Sequence, residues 1–164
     1  MKNDRGGFRM LRREQLLQEL VHDSYKSPRK LRQPTRCPDC GAVYRDGRWQ
    51  WGPQSAAAHE TRCPACQRTH DRFPAGYVSL DGEFLDEHRE EILHRVHNCE
   101  KAEKAEHPLE RIMAIEQDGD ATLVTTTGTH LARRIGEALH DAYKGELEFH
   151  YNKADNLLRV SWRR

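Results

Sequence analysis

The chain has no apolar run approaching the roughly 20 residues of a membrane-spanning helix. Its opening, MKNDRGGFRMLRREQ, has no apolar stretch of the kind that a secretory signal requires. These absences point to a soluble cytoplasmic chain with no membrane partner. Catalytic signatures are missing as well. There is no glycine-rich phosphate loop with its lysine and no Ser-Gly elbow for acyl transfer. The ten histidines occur singly, without an H-E-x-x-H arrangement. The acids are scattered without a pairing that suits acid-base work. A non-enzyme with no small-molecule substrate is the expectation.

Apolar material is also scarce. Hydrophobic residues make up 36% of the 164 and charged residues 32%, the latter above the roughly 25% of an average domain. One large core is excluded on that supply, and small units of this kind need a staple, either metal or disulfide.

The cysteines supply one. TRCPDCG (35–41) returns as TRCPACQ (61–67), and this is the only internal repeat. Cys37 and Cys40 form one C-x-x-C pair and Cys63 and Cys66 a second, with 22 residues between the pairs. Two such knuckles bring four thiolates to the corners of a tetrahedron, the arrangement that zinc prefers in closed structural sites. Disulfides fit poorly, because a reducing cytoplasm keeps thiols free. A thioredoxin-like pair would use one motif at the start of a helix, whereas two motifs before turns are expected here. One structural zinc follows. His59 and His70 lie nearby and are left out of the ligand set, and Cys99 falls on the apolar stripe of a later helix as an ordinary buried thiol.

The net charge of +1 hides an asymmetry. Residues 1–36 hold ten Lys or Arg against four acids, hence +6, while 37–164 hold 17 against 22, hence −5. A basic arm on an acidic body suits a polyanion such as RNA, and it equally suits a solubilising tail. Within the arm, MLRREQLLQELVHD has Met10, Leu17, Leu20 and Val21 near one side of a short helix, and SPRKLRQPTR reads as an extended basic linker. Arg29, Lys30, Arg32 and Arg36 there, with Arg62, Arg68 and Arg72 around the knuckles, are the candidate phosphate contacts.

Between the knuckles, VYRDGRWQW supplies an Asp46-Gly47 hairpin turn and sets Trp49 and Trp51 on one strand face. The two indoles suit a stacking platform for bases, or the small core of a ribbon with little else to bury. From Glu83 to Glu106, Leu85, His88, Ile92, Val96 and Cys99 follow helical steps, and Pro108 ends the run. RIMAIE and ATLVTTT then flank a turn at Asp118-Gly119-Asp120. HLARRIGEALHDAY is a helix with Leu131, Ile135, Ala138, Leu139 and Ala142 on one face, stopped at Gly145. Two alternating strands follow, one around Leu147, Phe149 and Tyr151 and one around Leu158, Val160 and Trp162. Arg133 and Arg134 sit near the positive end of that helix. They suit either a phosphate bound at the helix N-terminus or an ordinary Arg133–Glu137 pair.

The expected class is α+β, in four parts: a basic arm (1–36), a four-cysteine zinc ribbon (37–82), a connecting helix (83–106) and a small ββαββ domain (108–164).

CPDCGAVYRDGRWQW, CPACQRTHDRFPAG, HPLERIMAIEQDGDATLVTTTGTHLARRIGEALHDAYKGEL and the closing RVSWRR resemble a family of small bacterial zinc-ribbon proteins of unassigned function. The resemblance covers nearly everything from about Ser24 onward. That family is similar in turn to the N-terminal region of the archaeal and eukaryotic adaptor that escorts the large ribosomal subunit from the nucleus. The resemblance implies Cys37, Cys40, Cys63 and Cys66 as metal ligands and a surface for large-subunit rRNA. Adaptor-type regions carry more cysteine pairs, and the later domains and export tail are missing here, so nuclear export does not carry over. The functional expectation is a bacterial ribosome-associated RNA-binding factor acting in assembly, dormancy or rescue. A protein–protein adaptor or transcription-associated zinc ribbon is the alternative.

Overall fold

The computed structural model describes residues 8–11, 25, 30–54 and 58–164. It is a mixed α/β protein with two sheets. β1 (Phe8–Leu11) comes first, followed by a four-stranded finger sheet of β2 (Thr35–Arg36), β3 (Val43–Arg45), β4 (Arg48–Gln50) and β5 (His59–Glu60) in the order β4-β3-β2-β5. Helix α1 (Pro64–Asp71) completes the finger. The body then adds β6 (Gly76–Asp81), α2 (Glu83–Glu87), α3 (Arg89–Glu106), β7 (Ile112–Asp118), β8 (Ala121–Thr126), α4 (Thr129–Tyr143), β9 (Glu146–Asn152) and β10 (Leu157–Arg163).

The body's sheet runs β1-β9-β10-β6-β8-β7. The two hairpins and the helix expected after Pro108 are all present, but they do not form a sheet by themselves. β6 lies between the hairpins, parallel to β10 (Val78 opposite Val160) and antiparallel to β8 (Val78 opposite Val124). The ββαββ arrangement is thus split by a central strand from the segment expected to belong to the zinc ribbon, whose boundary at residue 82 falls too late. The helix expected over 83–106 is two helices. The backbone leaves helical geometry at His88, whose ring stacks on Phe84 at 4.0 Å and hydrogen-bonds its carbonyl through Nδ1 at 3.0 Å.

Alternation decides which sheet face is buried. Val78 and Leu80, Val124, Phe149 and Tyr151, and Leu158, Val160 and Trp162 point inward, and α4 covers them with Leu131, Ala132, Ile135, Leu139 and Tyr143. Of the residues expected on that helix face, Ala142 is exposed; Tyr143, one position on, takes the core place. α3 adds Ile92 and Val96, so it is a wall of the core rather than a connector. The outward face carries Tyr77, Ser79, His150 and Arg159.

The arm also differs from expectation. Met10, expected on a helix, lies in β1, which pairs with β9 so that Met10 faces His150 and is 66% exposed. Leu17, Leu20 and Val21 lie outside the described residues. Thr35 and Arg36, at the arm's end, are a strand of the finger sheet.

Candidate metal centre and its surroundings

The first knuckle is a tight turn after β2. The Cys37 carbonyl accepts from the Gly41 N–H at 2.9 Å, and the Ala42 N–H approaches Cys40 Sγ at 3.5 Å. The second knuckle is built differently. Cys63 caps α1, accepting from the Cys66 N–H at 3.4 Å, and Pro64 occupies the first turn, where its missing donor costs nothing. The expectation of two motifs before turns therefore holds for the first pair only; the second opens a helix, whose positive end favours thiolate. Parallel pairing of β2 with β5 brings the two halves together, and the Cys63 N–H reaches Cys37 Sγ at 3.3 Å.

As a result, Cys37, Cys40, Cys63 and Cys66 hold their sulfurs within 4.8 Å of one another and could bind a metal ion. The Cys40–Cys63 separation is 3.8 Å. A tetrahedron with metal–sulfur bonds of about 2.3 Å has edges of about 3.8 Å. The donor set and its dimensions fit a thiolate-bound ion with no open coordination position. His59 and His70 are exposed and take no part.

One contributor was not foreseen. Arg111, between α3 and β7, lays its guanidinium across the sulfurs: Nη1 donates to Cys66 Sγ at 3.1 Å and Nη2 to Cys40 Sγ at 3.1 Å, with Cys63 Sγ at 3.6 Å. Its Nε is held by the Pro108 carbonyl at 2.8 Å. Without metal, the hydrogen bond shared with Cys63 brings the Cys40 thiol down to about 4 against the opposing effect of burial, and Arg111 adds to the lowering. The same shared bond and burial push Cys63 up, while burial pushes Cys66 up. The cluster thus holds protons that a metal ion must displace, so affinity falls as pH falls.

Four thiolates around a divalent ion leave two negative charges, and Arg111 offsets one of them. Nothing local marks it in sequence, since it is one of 27 basic residues and lies 71 positions from Cys40. Arg111→Ala is expected to weaken metal retention about 10–100-fold in chelator competition. Arg111→Lys should recover only part of this, because an ammonium lacks the planar fork.

Trp49 packs against the cysteine cluster and makes an edge contact with Tyr44 at 5.6 Å. Trp51 donates its indole N–H to the Lys104 carbonyl at 2.7 Å. Trp49 is therefore core, and Trp51 ties the finger to α3. Comparison with family models, curated proteins and solved structures finds no match.

The arginines expected on phosphate are placed unevenly. Arg36 pairs with Glu60, and Arg62 with Asp39 at 2.6 Å. Arg68 is 2% exposed, donating to the Phe73 carbonyl at 3.0 Å and lying 4.4 Å from the centroid of the Tyr25 ring; it is a buried brace rather than a surface contact. Arg133 pairs with Glu137 at 3.0 Å, and Arg134 stands 3.9 Å from Glu103 while 63% exposed. The α4 N-terminus is already occupied by a carboxyl group. Glu110 accepts from the Leu131 N–H at 3.1 Å, and burial raises its pKa. A Cβ at Gly128 would sit 2.1 Å from Glu110 Oε2, so a larger residue there would require that carboxyl group to move. Glu110 thus takes the Leu131 N–H that a phosphate at this helix end would use. Lys30 and Arg32 are exposed, with no ion pair among the described residues; Arg29 lies outside them.

Proposed function

We propose that this chain is a non-catalytic, zinc-containing RNA-binding protein of the cytoplasm, acting on ribosomal RNA in subunit assembly, dormancy or rescue. One zinc per chain is the metal best suited to a closed set of four sulfurs. Its task is to hold the finger in shape, and the finger presents the binding surface.

The observation that carries this reading is a group of cations at one end of the finger. Arg45 and Arg48 are directly opposite each other across the β3–β4 hairpin. Like charges in that relation destabilise a sheet, and an anionic ligand would relieve the cost. The turn between them is tight, with positive φ at both Asp46 (54°) and Gly47 (80°), and Gly47 adopts this without strain. The Asp46 N–H donates to Gln33 Oε1 at 2.8 Å, which brings the segment of Lys30 and Arg32 to the same end. None of the four cations has an acidic partner among the described residues.

Neither Arg45 nor Arg48 was among the contacts expected from sequence. The test is binding of purified ribosomal RNA across a salt series. Arg45→Gln with Arg48→Gln should flatten log K against log salt by about 1.5, at roughly 0.7–0.9 for each phosphate no longer neutralised, with zinc content unchanged. Salt-insensitive binding, or capture of a protein alone, would instead favour an adaptor.

A further inference from the structure

A groove of about 420 Å³ runs between Trp51 and the C-terminal half of α3, lined by Trp51, His97, Glu100, Lys101, Lys104 and Ala105. We infer that this groove takes an unpaired base of a bound RNA, stacked on Trp51, with the flanking phosphates on Lys101 and Lys104. The inference rests on the RNA reading above and assigns to that surface a second, chemically different subsite.

Trp51 remains 37% exposed although its N–H is fixed on the Lys104 carbonyl. That bond holds the ring in one orientation and leaves part of a large flat apolar surface in water. Lys101 and Lys104 are three residues apart, hence on one side of α3, and neither ammonium has an ion-pair partner among the described residues. The one acid of the groove already has partners of its own: Glu100 accepts from the Ile112 N–H at 3.0 Å, and His97, also in the groove, stands 3.9 Å from its other oxygen.

An immobilised indole beside two free cations is the chemistry of a single-strand stacking site, because every base offers a π-face and every linkage a charge. Pinning the finger explains the indole N–H but neither the wetted ring nor the two lysines. Trp51 follows Arg48 by three residues, roughly 10 Å of extended chain, so one RNA strand can reach both places.

The experiment uses the full chain and fluorescence anisotropy with a single-stranded RNA of about 12 nucleotides and the same sequence as a duplex. Trp51→Ala is expected to weaken single-strand binding roughly fivefold to a hundredfold, while duplex affinity stays within about twofold. Trp51→Phe should keep most of the affinity. Lys101→Gln with Lys104→Gln should lower the single-strand salt slope by about 1.4, and retained zinc verifies folding. Unchanged single-strand affinity in Trp51→Ala, or an equal loss on duplex, overturns the groove and leaves the RNA reading standing. If Trp51→Ala loses its zinc, the lysine pair decides, and an unaltered slope there overturns the inference. Failure of the unaltered chain to bind either RNA overturns both.

Discussion

Cys63→Ser protein is expected to emerge from purification without metal and with its finger unfolded. Cys63 contributes one of the four clustered sulfurs, which could hold a metal ion, and lies against Arg111. Serine can take over its cap on α1, so the change removes the sulfur donor and the Arg111 contact while leaving the helix start intact. The finger has little else. Its buried cluster consists of Cys37, Cys63, Cys66 and Ala65, with Cys40, Trp49 and Leu109 partly buried against it. Binding of a structural zinc contributes about 10–16 kcal/mol to finger peptides near neutral pH. The finger's few apolar side chains, at roughly 1.5–3 kcal/mol each, do not replace that. The body draws its stability from another cluster, Val78 to Trp162, that contains no ligand. Elemental analysis should show zinc falling from one per chain to none. Limited proteolysis should cut within 37–72 and spare the segment from 75 onward. A metal-free variant with a protease-resistant finger would remove the metal from its structural role.

The second large effect separates two fragments. Residues 108–164 are expected not to fold alone, whereas residues 75–164 are expected to fold. The shorter piece contains both hairpins and α4 but lacks β6, which joins them. Without it, β8 and β10 are deprived of their shared neighbour, and the Leu158 N–H of the Ala75 carbonyl. Val78, Leu80, Leu85, Ile92 and Val96 also leave the core, each fully buried in the whole chain. At roughly 1.5–3 kcal/mol apiece, that loss is about 10 kcal/mol, comparable to the 5–15 kcal/mol that stabilises a whole domain. The longer piece gives up only edge strand β1 and its packing against the finger. Far-UV circular dichroism and thermal melting of the two fragments are the measurements. A cooperative melt for 108–164 would show that the parallel β6–β10 ladder is dispensable.

The four-cysteine cluster was legible because its signal is local. Two residues separate each pair, and a knuckle needs nothing beyond its own turn. The α4 stripe and the alternation of β9 and β10 were legible for the same reason, since a helix or strand with one buried face repeats its pattern within ten residues. GYVSLD also alternates, with Val78 and Leu80 inward, but it was hidden beside the second knuckle and read with it.

What the sequence determined by itself, then, was the four-cysteine cluster, the main body elements and the inward faces of its later strands. The tertiary structure alone decided which elements share a sheet, which arginines remain free and which cation lies across the four sulfurs. Residues 76–81 find their parallel partner some 80 positions later. Arg111 meets thiols 45 to 71 positions away. Glu110 occupies the helix end that suited a phosphate as one of two readings, the other being the Arg133–Glu137 pair that forms. Arg62 and Arg45 look alike in sequence, yet one faces Asp39 and the other faces Arg48. Periodicity reports which face of an element is buried; the partner it is buried against is set by packing among distant segments, and the charge left free at the surface follows from that packing.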